Sequence, residues 1–123
     1  MSIRPGLIMG ILPTSQEGHV EVVKALLAQP NINVNQARTD LEWKGISPLW
    51  IASFNRHAEV VKELLKESEI KVNQAQTTDG RTALYIASIK GFFEVVQVLL
   101  VHPGINPIKF ITEKNWSDGR FSV

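Results

Sequence analysis

The hexapeptide TALYIA, residues 82–87, follows the similar hexapeptide SPLWIA, residues 47–52, at an interval of 35 residues. In both, a hydroxyl residue stands immediately before a mostly apolar run, as a helix N-cap stands before the first turn. Pro48 fits this arrangement because a proline at the first helical position removes no hydrogen bond that the helix needs. Each hexapeptide ends in a small residue, Ala52 or Ala87, that lets neighbouring helices approach closely. The two hexapeptides therefore predict two equivalent short helices.

A second signature, paired valines followed by paired leucines, occurs at 22–27, 60–65 and 95–100. Its spacing places the valines and leucines on one stripe of a helix. Charged residues such as Glu59 and Lys62 then face water as mutually compensating pairs. Each occurrence predicts an amphipathic second helix that packs through its apolar stripe.

The two signatures form a unit that repeats along the chain. Residues 45–73 aligned with 80–108 give 11 identities in 29 positions, and residues 14–37 aligned with 52–75 give 13 in 24. Chance would give about two identities in each alignment, so internal repetition is the strongest inference from the sequence. The interval is 38 residues and then 35, and the three extra residues fall in the connection around 40–43.

Glycines mark the end of the first helix in two of the units. Gly18 and Gly91 occupy equivalent places and predict a left-handed helix cap, whereas Arg56 stands at the same place in the middle unit. A residue with a Cβ adopts that conformation at a cost of roughly 1 kcal/mol. We therefore expect a positive φ at Arg56, and we expect glycine there to stabilise the protein.

These residues resemble the ankyrin repeat family. The two hexapeptides are similar to its T-P-L-H-x-A signature, and DGRT at 79–82 is similar to the turn before that signature. Trp50 and Tyr85 replace the motif histidine, Ala83 replaces its proline, and the period of 35 residues exceeds the family's usual length. The resemblance covers residues 12–108. It implies an all-α helical solenoid of stacked helix-turn-helix units with hairpin-like finger loops.

We expect residues 1–123 to form a single domain that is built from the repeats. We expect a degraded first repeat at about 9–37, a second at 45–73, a third at 80–108, and the start of a truncated fourth repeat at 109–123. The first helix of the first repeat should begin near Pro13, because a proline inside a helix lacks the backbone donor.

We expect the ends of the array to lack the polar capping units that stabilise solenoids. DGRFSV at 118–123 repeats the beginning of the third unit, so we expect a fragment or degenerate relative of a longer array. Apolar surface around Phe92, Phe93 and Val98 should be open to solvent or to another copy. Marginal stability and self-association through the uncapped ends are the expected consequences.

Composition narrows the class of protein further. The chain has 123 residues, 44% of them hydrophobic, with a net charge of +1 and no cysteine. The charge argues against nucleic acid as a partner, and the absence of cysteine excludes disulfides and thiolate metal sites. The apolar run at 6–12 is too short for a membrane span and weak as an export signal. We therefore predict a cytoplasmic protein without membrane insertion.

No pattern of residues indicates catalysis, a metal or a cofactor. His19 and His57 occupy the same repeat position, which indicates a structural role, while His102 has no equivalent and no obvious partner. The acidic residues are scattered through connections, and neither a nucleophile motif nor a glycine-rich phosphate loop is present. The sequence therefore predicts that the protein is not an enzyme.

The resemblance implies binding of another protein through a concave surface of fingers and inner helices. Candidate contact residues lie in two fingers and at the ends of the first helices: Trp43, Lys44, Ile46, Thr78, Asp79, Arg81, Phe54, Asn55, Ile89 and Lys90. Packing of Phe54 and Ile89 between helices is favoured over exposure. The indole of Trp43 either anchors a partner or folds back over a finger, and both alternatives stay open. The alternative function is a structural spacer, or a piece of a longer array, that has no independent binding role.

Overall fold

The computed structural model of the protein describes residues 10–39, 44–77 and 79–106. These residues contain six helices: α1 Ile11–Glu17, α2 Val20–Leu27, α3 Pro48–Phe54, α4 Ala58–Leu65, α5 Ala83–Lys90 and α6 Phe93–Leu100. The described backbone forms no named strand, only an isolated antiparallel bridge between Ala75 and Thr82. The predicted all-α architecture of paired short helices is confirmed.

The helices stack in two layers. Helix α3 contacts both α1 and α5 in an inner layer, and α4 contacts both α2 and α6 in an outer layer. Within each repeat the inner helix packs on its outer partner. The first signature therefore builds the inner layer and the second signature builds the outer layer.

Hydroxyl caps start the inner helices as the hexapeptides predict. The Ser47 hydroxyl accepts a hydrogen bond of 3.2 Å from the Trp50 amide, and the Thr82 hydroxyl accepts one of 3.1 Å from the Tyr85 amide. Helix α1 has no such side-chain cap and begins at Ile11, ahead of Pro13. Pro13 is tolerated there because amides of the first turn have no acceptor within the helix.

The left-handed helix ends are confirmed at all three equivalent positions. Gly18 has φ 77°, Gly91 has φ 73° and Arg56 has φ 64°. Arg56 is the single non-glycine residue with positive φ in the part of the chain that the structure describes. The second repeat therefore carries the backbone strain that glycine avoids in the other two.

The core lies between the two layers. Val23, Val60, Val61, Leu64 and other residues of the valine–leucine stripes are buried in a cluster with apolar residues of the inner helices. A second, smaller cluster within the inner layer contains Trp50. Val22 and Leu100, at the ends of the first and third stripes, are exposed, so the predicted stripes are buried in part.

Asparagines connect the loops of successive repeats. The Asn35 side chain donates a 2.7 Å hydrogen bond to the Glu69 carbonyl and accepts a 2.8 Å bond from the Lys71 amide. Asn73 makes the same two bonds, each 3.0 Å long, to the loop at 104–106. These bonds satisfy backbone groups of each loop from the preceding repeat.

The outer end of the third repeat carries exposed apolar surface. Ala58, which begins α4, is 8% exposed, whereas the equivalent Phe93 at the start of α6 is 71% exposed. Phe92 and Val98 are partly buried against the core. Of the three apolar residues expected to be open to solvent, Phe93 therefore is, while the other two are partly covered.

Candidate binding surface

Trp50 builds the base of the inner surface. It is 3% exposed, and its indole N–H donates a 3.0 Å hydrogen bond to the Arg81 carbonyl in the next repeat. Its ring stacks on Phe54, with centroids 5.3 Å apart and an angle of 18° between the planes. Although Trp50 departs from the motif histidine, it still supplies a hydrogen bond that joins an inner helix to the following finger.

In the finger of the third repeat, the described residues 75–77 and 79–82 form a hairpin-like turn that presents Arg81. Two bonds close the turn: the Gln76 amide donates to the Arg81 carbonyl over 2.9 Å, and the Gly80 amide donates to the Gln76 carbonyl over 2.8 Å. The Asp79 carboxylate lies 3.3 Å from Arg81 Nε and accepts a 3.2 Å bond from the Arg81 amide. The Arg81 guanidinium also lies over the Tyr85 ring, 5.2 Å from its centroid. Arg81 is therefore partly exposed and has two contacts within the finger and the following helix that favour this orientation.

In the finger of the second repeat, of which residues 38–39 and 44–46 are described, one candidate is exposed and another is buried. Lys44 is exposed, and its carbonyl accepts a 3.0 Å bond from the Thr77 amide of the next finger. Ile46 is fully buried, so its side chain supports the finger and offers no surface to a partner. Trp43 and Thr78 lie outside the described residues.

The ends of the inner helices bring the other candidates together. Phe54 is partly buried, and Lys90 Nζ lies 4.6 Å from the centre of its ring. The Asn55 side chain donates a 3.3 Å hydrogen bond from Nδ2 to the Gln16 carbonyl of the first repeat. Ile89 is 55% exposed, so the expectation that it packs between helices is wrong, whereas Phe54 does pack against the inner cluster. Ile89 stands on the last described inner helix, where no further described helix covers it.

Two residues of this surface were missed from the sequence, Arg56 and Phe92. The guanidinium of Arg56 lies 5.6 Å from the centre of the Phe92 ring, and Lys90 Nζ lies 5.7 Å from the same centre. From the sequence, Arg56 is recognisable only as a strained helix end. No spacing of neighbouring residues predicts that Phe92 lies beside it. The contact arises because adjacent repeats stack.

Two of the three histidines, His57 and His102, make hydrogen bonds within the scaffold. His57 Nε2 lies 2.9 Å from the Gln16 carbonyl, which makes that nitrogen the donor and joins the second repeat to the first. His19, the equivalent residue, is exposed before α2. His102, for which no partner was expected, accepts a 2.9 Å hydrogen bond at Nδ1 from the Gly104 amide. That expectation is wrong because the partner lies only two residues away, within the same turn.

The outer layer carries ordinary surface charge. Lys62 lies 2.9 Å from Glu59 and 3.9 Å from Glu94. The hydrogen bond to Glu59, followed by the charge of that carboxylate and of Glu94, raises the pKa of Lys62, and partial loss of water opposes the shift. Among residues 10–39, 44–77 and 79–106, no three His, Cys, Asp or Glu side chains group as a metal site would require. Over the same residues no helix has the length and apolarity to cross a membrane.

Comparisons with known proteins identify what the chain resembles. A family model described as ankyrin repeats, in three copies, matches residues 13–110. The crystal structure of the human ASB11 ankyrin repeat domain is similar to this chain, with a TM-score of 0.64 and 28% sequence identity. The match covers 76% of this chain and 39% of that chain, so this chain spans about two fifths of the ASB11 chain. A comparison with curated proteins finds no match.

Proposed function

The chain belongs to the ankyrin repeat family, and we propose that it binds a partner protein through the concave surface made by its two described fingers and its inner helices. Ankyrin repeats are generally protein–protein interaction modules. The observation that carries the proposal is the placement of Arg81, whose guanidinium pairs with the Asp79 carboxylate and lies over the Tyr85 ring while the side chain is partly exposed. Binding to an arginine that already has this orientation costs less side-chain entropy than binding to an arginine that must first be ordered.

Apolar surface beside Arg81 supports the same function. Ile89 is exposed one helical turn beyond Tyr85 on α5, and Phe54 occupies the equivalent position on the neighbouring helix. An arginine near an exposed aliphatic side chain and half-buried aromatic rings has the composition of interface hot spots. Trp43 and Thr78, in the fingers, stay candidate contacts of the same surface.

The proposed protein binds a partner in the cytoplasm and has neither a catalytic activity nor a cofactor. Ankyrin repeats are typically non-enzymatic. The repeat division proposed is 9–37, 45–73 and 80–108, with a fourth unit beginning in 109–123. The second candidate function is a spacer within a longer array, and the exposed Phe93 at the start of α6 favours it. The same exposed side chain would allow self-association.

Capture of partners from lysate by the immobilised full chain tests binding against the spacer function. Trp43→Ala and Arg81→Ala should each weaken binding of the captured partner by about 1–3 kcal/mol, measured by calorimetry after the partner is identified. Lys71→Ala removes an exposed cation from a loop and serves as the matched control for Arg81. Helical circular dichroism should be unchanged in all three variants.

Two results would contradict the proposal. In the first, the chain captures nothing reproducibly. In the second, both finger variants retain full affinity while they remain folded. Either result would favour the spacer function.

A further inference from the structure

Two cations converge on one aromatic ring at the ends of the inner helices. Arg56 and Lys90 each lie within 6 Å of the Phe92 ring centre, at 5.6 and 5.7 Å, and Lys90 also lies 4.6 Å from the centre of Phe54. We name these four residues, Phe54, Arg56, Lys90 and Phe92, the cation–aromatic cluster. Both cations are exposed.

Neither cation of the cluster has an acidic partner among the described residues. Other cations do: Lys24, Lys62 and Lys66 each lie 2.9–3.5 Å from a glutamate three residues earlier on the same helix. The inner helices that carry the cluster, α3 and α5, contain no acidic residue. The cluster is therefore a local concentration of positive charge on a chain whose net charge is only +1.

Acidic groups line the groove beside Arg56. Arg56 shares a groove of about 300 Å³ with Glu59 and Glu94. The Lys62 amine lies 2.9 Å from Glu59 and 3.9 Å from Glu94, so one lysine offsets part of their negative charge. Among the described ion pairs, neither carboxylate pairs with Arg56 or Lys90.

Backbone strain marks the same place independently. Arg56 adopts φ 64°, where the equivalent residues of the other repeats are glycines. Strained residues persist where the surrounding structure holds them, and they concentrate at functional sites. Here the strained residue is the one that carries a cation to the Phe92 ring.

We propose that the cation–aromatic cluster binds an acidic segment of the partner protein, which places carboxylates at Arg56 and Lys90. This inference rests on the proposed function and names the chemistry of its partner. Each carboxylate is attracted by a cation that lies against an aromatic ring, and the ring keeps water from one side of the cation, so the attraction is less screened than in bulk solvent. An apolar side chain next to the carboxylate would lie against the exposed Ile89, which precedes Lys90 on α5. Nucleic acid fits less well, because phosphate backbones are bound by longer runs of cations than the two present here.

Titration of the isotopically labelled full chain by nuclear magnetic resonance tests the inference. The probe is a ten-residue peptide of alternating glutamate and leucine, and its matched control carries glutamine in place of glutamate. The acidic peptide should shift the amide signals of Arg56, Lys90 and Phe92, and its affinity should fall as salt is raised. The glutamine peptide should bind more weakly.

Variants locate the site. Lys90→Gln and Arg56→Gln should each weaken binding of the acidic peptide about two- to fivefold, and together about four- to twenty-five-fold if they act independently. Arg56→Gln keeps a Cβ in the left-handed conformation, so it changes the charge and leaves the backbone strain. Lys71→Gln, which removes the same charge from a loop, should leave the affinity within twofold.

Four results would overturn the inference: no binding at millimolar peptide, equal binding of the glutamine peptide, equal loss in Lys71→Gln, or tighter binding of a single-stranded oligonucleotide of the same charge. These results would leave the proposed function intact if the lysate partner still depends on Trp43 and Arg81. If the partner depends on neither, the proposed function fails by its own test, whatever the peptide does.

Discussion

Substitution of Arg56 by glycine and by alanine separates two opposing contributions to stability. The left-handed backbone, with φ 64°, costs a residue with a Cβ about 1 kcal/mol relative to glycine. The guanidinium, 5.6 Å from the centre of the Phe92 ring, recovers about 0.5–1 kcal/mol for an exposed cation–π contact. The strain predicted from the sequence is present, but the structure adds a ring contact that the sequence did not reveal.

The two variants should therefore differ from each other more than glycine differs from the wild type. Arg56→Ala loses the ring contact and keeps the strain, so it should be about 0.5–1 kcal/mol less stable than the wild type. Arg56→Gly loses both, so its free energy of unfolding should lie within about 0.5 kcal/mol of the wild type and about 1 kcal/mol above alanine. Urea unfolding followed by circular dichroism measures all three proteins.

A second background tests the assignment to Phe92. In Phe92→Leu the ring contact is already lost, so Arg56→Gly should now stabilise the protein by about 1 kcal/mol. Equal stability of the glycine and alanine variants would refute the left-handed conformation. An unchanged effect of glycine in the leucine background would refute the contribution of the ring.

The other two predictions concern repeat equivalence and the inner layer. Gly91→Ala should cost about 1 kcal/mol, because φ is 73° and the added Cβ meets nothing within 4 Å. Gly18→Ala should cost about 2 kcal/mol, because the added Cβ would lie 2.6 Å from the His57 ring and displace it from its hydrogen bond. In a His57→Ala background, Gly18→Ala should cost only as much as Gly91→Ala when both are measured by urea unfolding. Trp50→Phe should lower the midpoint of thermal unfolding and reduce the free energy of unfolding by about 2 kcal/mol, measured by calorimetry. The reason is that it removes buried volume and the donor to the Arg81 carbonyl. An unchanged midpoint would show that this hydrogen bond does not join the repeats.

The sequence by itself determined the features that operate within one repeat. Helix starts at Ser47 and Thr82, left-handed ends at Gly18, Arg56 and Gly91, and the buried valine–leucine stripes all follow from spacings of a few residues. These features are local, because a cap or a helical stripe is set by neighbours three or four residues away. The start of α1 was less well defined, since no hydroxyl cap marks it and Pro13 is compatible with any place in the first turn.

Only the tertiary structure decided what the inner surface presents. Ile46 was a candidate contact and is fully buried, while Ile89 was expected to pack and is exposed. The sequence predicts neither exposure correctly, because the burial of each side chain depends on whether another helix or finger covers it. The type of residue does not determine that coverage.

The contacts between repeats were equally hidden. Trp50 meets the Arg81 carbonyl 31 residues along the chain, and Arg56 meets Phe92 across the same boundary. Such distances are bridged only when two repeats stack in register, and the repeated apolar positions fix that register without specifying the variable side chains beside it. The sequence therefore determined the scaffold, and the stacking of the scaffold determined which cations and rings share a surface.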